Sequence, residues 1–121
     1  MITYPSSDDY LFYEGATFRV EWYYTAAGRL PAYEYYQSLD ETDQERLKGA
    51  VSYIANKPIG TILPKTIYRL EDAAEKIYAF KPRDERFFNF TTVGRRIIIT
   101  NAYRNIRRRW AALTGRTWPS P

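Results

Sequence analysis

The hydrophobic period of this chain changes near Lys65, from 3.6 residues to 2, and that switch limits the fold more than any other feature. Ahead of it, Leu47, Ala50, Val51 and Ile54 recur at i, i+3, i+4 and i+7, the apolar stripe of an amphipathic helix. Thr42-Asp43-Gln44-Glu45 reads as a capping box opening that helix, and Asn56-Lys57-Pro58 with Gly60 closes it. Pro31 suits the first position of a shorter helix over 31–38, so a helical hairpin is expected. Its tyrosines, Tyr33, Tyr35, Tyr36 and Tyr53, are expected to pack against a sheet rather than to stack on bases. Before the hairpin, residues 17–24 (TFRVEWYY) alternate Phe18, Val20 and Trp22 with Arg19 and Glu21, the pattern of a half-buried strand.

After the switch, 66–70 and 76–80 read as short strands around the polar turn 71–75. Residues 86–92 join 95–100 through Val93-Gly94 as a tight hairpin. The unbroken Ile97-Ile98-Ile99 run predicts a central strand covered on both faces, and 104–113 reads as a last basic helix. The predicted architecture is α+β: an N-terminal strand and a helical hairpin packed on a curved, mainly antiparallel sheet. All 121 residues are read as one domain, with 1–16 as an N-terminal extension that adds an edge strand or a dimer contact, and 114–121 as a flexible tail.

Composition removes whole classes of chemistry. The chain has no Cys and no His, which excludes disulfides, thiolate metal sites, cysteine nucleophiles, imidazole metal clusters and every His-dependent triad. No apolar run approaches the roughly 18 residues of a membrane span, and the first residues are acidic where an export signal is basic, so a cytoplasmic protein without membrane association is expected. The net charge of +4 hides a strong polarity. Residues 1–80 hold eight Lys/Arg against twelve Asp/Glu, whereas 81–121 hold ten against two. Eight of those ten cations lie between Arg86 and Arg116 and all are Arg, whose planar fork of donors suits phosphate.

In an antiparallel meander, the end of strand 76–80, the start of strand 86–92 and the end of the last strand meet at one edge of the sheet. Lys81, Arg83, Arg86, Tyr103, Arg104 and Arg107 are therefore expected around one rim. A fixed cationic rim can stabilise the extra negative charge of a pentacoordinate phosphate. Arg cannot act as a base there, which leaves a carboxylate (Glu71, Asp72, Glu75, Asp84 or Glu85), a lysine of lowered pKa (Lys65, Lys76 or Lys81) or Tyr103 for proton transfer.

Three stretches in this order resemble the RelE/ParE toxin superfamily, in its HigB-like, phage-associated branch of type II toxins. Residues 35–55 (YYQSLDETDQERLKGAVSYIA) are similar to the family's helical hairpin. Residues 68–81 (YRLEDAAEKIYAFK) resemble its K-x-L-x-x-G-L-Y-E-L-R segment, without the glycine. Residues 86–108 (RFFNFTTVGRRIIITNAYRNIRR) are similar to Y-R-V-L-Y-F-x-x-G-x-x-I-V-L-L-H-G-F-x-K-K, with Asn89 at a frequent aromatic and Asn101 at the frequent His. The resemblance covers about three quarters of the chain, from Phe18 to about Arg109.

It implies a RelE-like, microbial-RNase-like fold and a toxin that cleaves mRNA, on the ribosome, by attack of a ribose 2′-hydroxyl on the adjacent phosphate, with no metal and no cofactor. Arg86, Tyr103 and Lys81 fall on the positions implied to be catalytic, with Arg104, Arg107 and Arg108 in the basic run after Tyr103; Arg83 and Arg109, outside those matched stretches, are read with them as RNA-binding. The implied partners are mRNA, the ribosome and a separate antitoxin protein. The alternatives are a non-catalytic RNA-binding or regulatory module on the same fold, and a ParE-like gyrase poison.

Overall fold

The computed structural model describes residues 7–104. Its elements run α1 (Ser7–Tyr10), β1 (Leu11–Glu14), β2 (Arg19–Trp22), α2 (Pro31–Ser38), α3 (Glu41–Ala55), β3 (Tyr68–Asp72), β4 (Ile77–Phe80), β5 (Glu85–Thr92) and β6 (Arg96–Arg104). Six strands form one open sheet in the order β1-β2-β6-β5-β4-β3. The β1–β2 hairpin and the β3–β4–β5–β6 meander are antiparallel, and they are joined by one parallel pairing, β2 with β6. The α+β class and the predominance of antiparallel pairing thus agree with the sequence reading, and part of the extension, Leu11–Glu14, is an edge strand. The basic helix expected over 104–113 falls, beyond Arg104, outside the described residues, as does the tail. Among the described residues no helix is long and apolar enough to cross a membrane.

Helices α2 and α3 cover one face of the sheet. Trp22, Val20, Phe80, Phe87, Ile97 and Ile99 meet Tyr36, Leu47, Val51 and Ile54 in one buried core. Trp22 is wedged among Phe12, Tyr33 and Tyr36, with ring centroids 4.4, 5.5 and 5.5 Å away. Three of the four hairpin tyrosines pack as expected; Tyr53 instead stays 44% exposed, with Lys57 Nζ 4.2 Å above its ring.

The long helix begins earlier than its capping box suggested. Asp40 is the N-cap and accepts from the Asp43 N–H at 2.8 Å, so Thr42 lies within the first turn. Asp40 leaves Glu41 and Asp43 in that turn, where the helix dipole favours carboxylates. At the other end, the Ala55 carbonyl accepts from the N–H groups of Thr17 and Phe18 at 3.0 and 2.9 Å, and Asn56 Oδ1 accepts from Ala16 at 2.7 Å. The β1–β2 turn is thereby seated on the helix terminus, satisfying carbonyls that helix ends leave over. Gly15 permits the approach: a Cβ there would lie 2.5 Å from the Ala55 oxygen.

On the opposite face, Glu21 is buried between two cations. Arg96 Nη2 lies 2.6 Å from Oε1 and Arg19 Nε 2.7 Å from Oε2. Burial alone would raise this carboxyl; bonds and charge from Arg96 and Arg19 outweigh it and hold the carboxyl below its usual range. The sequence pattern placed Glu21 on a polar face but gave no sign of its burial. Ile98 is only partly buried beside it, so the isoleucine run is less covered on this face than expected.

Candidate functional site

The expected rim sits where β5 starts and β6 ends, and a bulge decides how its side chains are divided. From Thr92↔Arg96 to Asn89↔Ile99 the two strands pair residue for residue, and from Phe88↔Asn101 to Glu85↔Arg104 they do so again, leaving Thr100 without a partner. The extra residue reverses the alternation of β6. Ile97 and Ile99 point to the helices, but beyond Thr100 it is Ala102 and Arg104 that do so, while Asn101 and Tyr103 join the opposite face. The expected last strand ended at Thr100; pairing continues four residues further, because the bulge resets the register instead of ending it.

On the face away from the helices, Arg86 stands directly opposite Tyr103. Tyr103 is 48% exposed and stacks on Phe88, with centroids 5.4 Å apart and an interplanar angle of 23°. Lys81 follows β4, on the same face as Ala79 by alternation, and its Nζ donates to the Lys65 carbonyl at 3.2 Å. Its ammonium is held below the ordinary lysine range, first by partial burial and then by the positive charges of Arg86 and Arg69. Arg69 joins the group because Arg69 pairs with Ala79 across β3 and β4. Between Lys81 and Arg86 the chain turns through Arg83, which is exposed with φ 70°. Arg86 Nη1 closes that turn by donating to the carbonyls of Arg83 at 3.0 Å and Glu85 at 2.9 Å.

The helix face of the same strand ends is a different environment. Glu85, opposite Arg104, is 1% exposed, and its Oε2 accepts the Tyr35 hydroxyl from α2. Arg104 Nη2 lies 2.8 Å from Oε1, pairing by charge without an aligned hydrogen bond, and 3.9 Å from Asp43 Oδ2 on α3. Burial and the Glu85 carboxylate push the Tyr35 phenol up to about 12, so it is a neutral donor at physiological pH. A polar cleft of about 330 Å³ opens here between Arg83, Asp84, Glu85 and Arg104 on one side and the start of α3 on the other.

The structure thus brings Lys81, Arg86 and Tyr103 together and places Arg83 on the turn between the two faces. Arg104 lies on the helix face instead, tied to Glu85. Arg107, Arg108 and Arg109 lie outside the described residues. Sequence reasoning missed Arg69, whose signal was its place opposite Ala79, and Phe88, whose signal was its adjacency to Tyr103 once the bulge is counted. Of the carboxylates weighed as bases, Glu85 is buried and engaged, while Glu71, Asp72 and Glu75 are exposed around the β3–β4 turn. Among the described residues no group of three or more His, Cys, Asp or Glu side chains is placed to hold a metal ion.

Compared with known proteins, the chain matches no family model and no curated relative.

Proposed function

We propose that this protein is an endoribonuclease of the RelE/HigB toxin type, cutting mRNA on the ribosome and held in check by a separate antitoxin. The observation that carries the reading is the Arg86–Tyr103 pair with Lys81 beside it: one fixed cation, one lysine held below its ordinary range and an exposed phenol, on one sheet face. Lys81 in its neutral form, which partial burial and the charges of Arg86 and Arg69 favour, takes the proton of the ribose 2′-hydroxyl as the 2′ oxygen attacks phosphorus. The Arg86 fork stabilises the doubly charged pentacoordinate phosphate. The bond to the 5′ oxygen then breaks, Tyr103 donates a proton to that leaving oxygen, and a 2′,3′-cyclic phosphate remains. Arg83 and Arg69 flank the pair and supply backbone-tracking charge.

The test is to map mRNA 3′ ends in a bacterial translation extract after adding the purified protein, with Arg86→Ala and ribosome-free RNA alongside. New ends that require ribosomes and vanish with Arg86→Ala are expected; no new ends from a folded wild-type protein would overturn the reading. One observation favours a second reading, a non-catalytic RNA-binding module: Arg86 Nη1 is already engaged by two main-chain carbonyls. That reading predicts salt-dependent RNA binding with no cleavage on or off the ribosome.

A further inference from the structure

The rung next to Arg86 and Tyr103 is Glu85 and Arg104, and the two rungs project to opposite faces. Glu85 is buried, and each of its carboxylate oxygens meets a different element: Oε1 the Arg104 guanidinium on β6, Oε2 the Tyr35 hydroxyl on α2. Arg104 reaches on toward Asp43 on α3. The end of the β5–β6 ladder is therefore tied to α2 by the Glu85 carboxylate and drawn toward α3 through Arg104, one residue before Arg86 and one residue after Tyr103. The clamp sits beyond the bulge at Thr100, in a four-rung segment whose register the upper ladder does not enforce.

We infer that Glu85, acting through Arg104 and Tyr35, is the positioning residue that fixes the register of this terminal segment and so holds Arg86 opposite Tyr103. The inference builds on the nuclease reading above for its functional meaning, but its structural content stands apart from it. Three features support it. The Glu85 side chain is isolated from the second face, so it has no route to an RNA phosphate bound there. Its partners come from two separate elements, β6 and α2, and one of them reaches on toward a third, α3, which is more than closing a hairpin needs. And a slip of one residue in this segment would exchange Tyr103 with Arg104 between faces, putting a phenol where Glu85 requires a cation.

The experiment uses the full chain with Glu85→Gln and Tyr35→Phe, the second chosen because it removes one hydroxyl and leaves the buried charge pair intact. Cross-strand nuclear Overhauser contacts are read for the Arg86–Tyr103 rung and, as a control above the bulge, for the Phe90–Ile98 rung, together with kcat and KM for ribosome-dependent cleavage. Both variants should weaken or broaden the first set while leaving the second intact. Cleavage kcat should fall, on the order of 10²-fold for Glu85→Gln, with KM unchanged, as expected when a reacting group is displaced by about an ångström. Arg86–Tyr103 contacts of wild-type intensity in both variants would overturn the inference. A wild-type protein that cleaves nothing, with the rung still loosened by Tyr35→Phe, would overturn the nuclease reading and uphold the positioning role.

Discussion

Arg86 and Tyr103 face each other across β5 and β6 only because Thr100 has no partner. In an unbroken ladder, Tyr103 would share the face of Ile97 and Ile99 and point into the helices. Deleting Thr100, by contrast, removes the skipped residue itself and is expected to merge the two stretches into one regular ladder with every side chain on its present face, so cross-strand nuclear Overhauser contacts should still show Arg86 opposite Tyr103 and Glu85 opposite Arg104. Arg104→Ala instead leaves Glu85 buried without its cation; removing one partner of a buried ion pair costs about 3–5 kcal/mol, and a loss up to that order is expected in denaturant unfolding.

Arg86→Ala and Tyr103→Phe should leave the fold standing while abolishing most activity. Arg86 Nη1 makes two bonds to turn carbonyls, so Arg86→Ala should cost about 1–2 kcal/mol in stability. If the rim is catalytic, each variant should lose on the order of 10²-fold in cleavage rate. Paired unfolding curves and end-mapping time courses check both figures.

A lysine base predicts a definite pH dependence. Lys81 acts only when neutral, so cleavage should rise with pH until Lys81 is deprotonated, at a pH below the ordinary lysine range. Arg86 and Arg69 oppose its protonation. Arg69→Ala removes one of those charges, so the protonated form is favoured, the Lys81 pKa rises and the rising limb of the profile moves to higher pH. Titration of the lysine side-chain resonances by nuclear magnetic resonance reads the same shift without activity.

The Glu21 cluster predicts acid sensitivity. Its folded carboxyl lies below its unfolded value, which is about 4.3 for glutamate, so the stabilisation is fully present above that pH and is lost as pH falls through the folded pKa. Thermal unfolding should therefore weaken in strong acid, and Glu21→Gln should flatten that dependence while lowering stability at neutral pH.

Gly15→Ala probes the seat of the β1–β2 hairpin. The new methyl would lie 2.5 Å from the Ala55 oxygen and 2.6 Å from its Cβ, so backbone must move. A destabilisation of about 1–3 kcal/mol is expected. Because Gly15 lies at the far edge of the sheet from β4 and β5, RNA affinity should be unaffected.

Much of the fold was legible because it rests on periodicity. The Leu47–Ala50–Val51–Ile54 stripe is buried as the spacing requires, and the strands alternate about Val20, Trp22 and Phe87. The meander also gathers Lys81, Arg86 and Tyr103 as topology demanded. What could not be read depends on events with no local signature. Thr100 is an ordinary strand residue, and nothing in its neighbours announces that it is skipped. Arg104 looks like the first member of a basic run, yet it is drawn to the helix face by a buried carboxylate nineteen positions earlier. The burial of Glu21 needs Arg96, 75 residues away in the chain. Charge can be counted in a sequence, but the face on which it emerges is set by register.

The parallel pairing of β2 with β6 has a consequence for how such a protein comes into being. A hairpin that lies at the sheet's edge in sequence order waits for a neighbour 75 residues downstream. At ordinary rates of synthesis that wait is about 4–15 seconds. Until β6 emerges, Val20 and Trp22 have no Ile97 and Ile99 beside them, and Arg86 has no Tyr103 opposite. The last of the described strands is both the keystone of the sheet and half of the proposed reaction centre. On the proposed nuclease reading, a nascent chain lacks its reaction centre until β6 emerges, and a fragment that stops before β6 has neither the completed sheet nor the Arg86–Tyr103 pair.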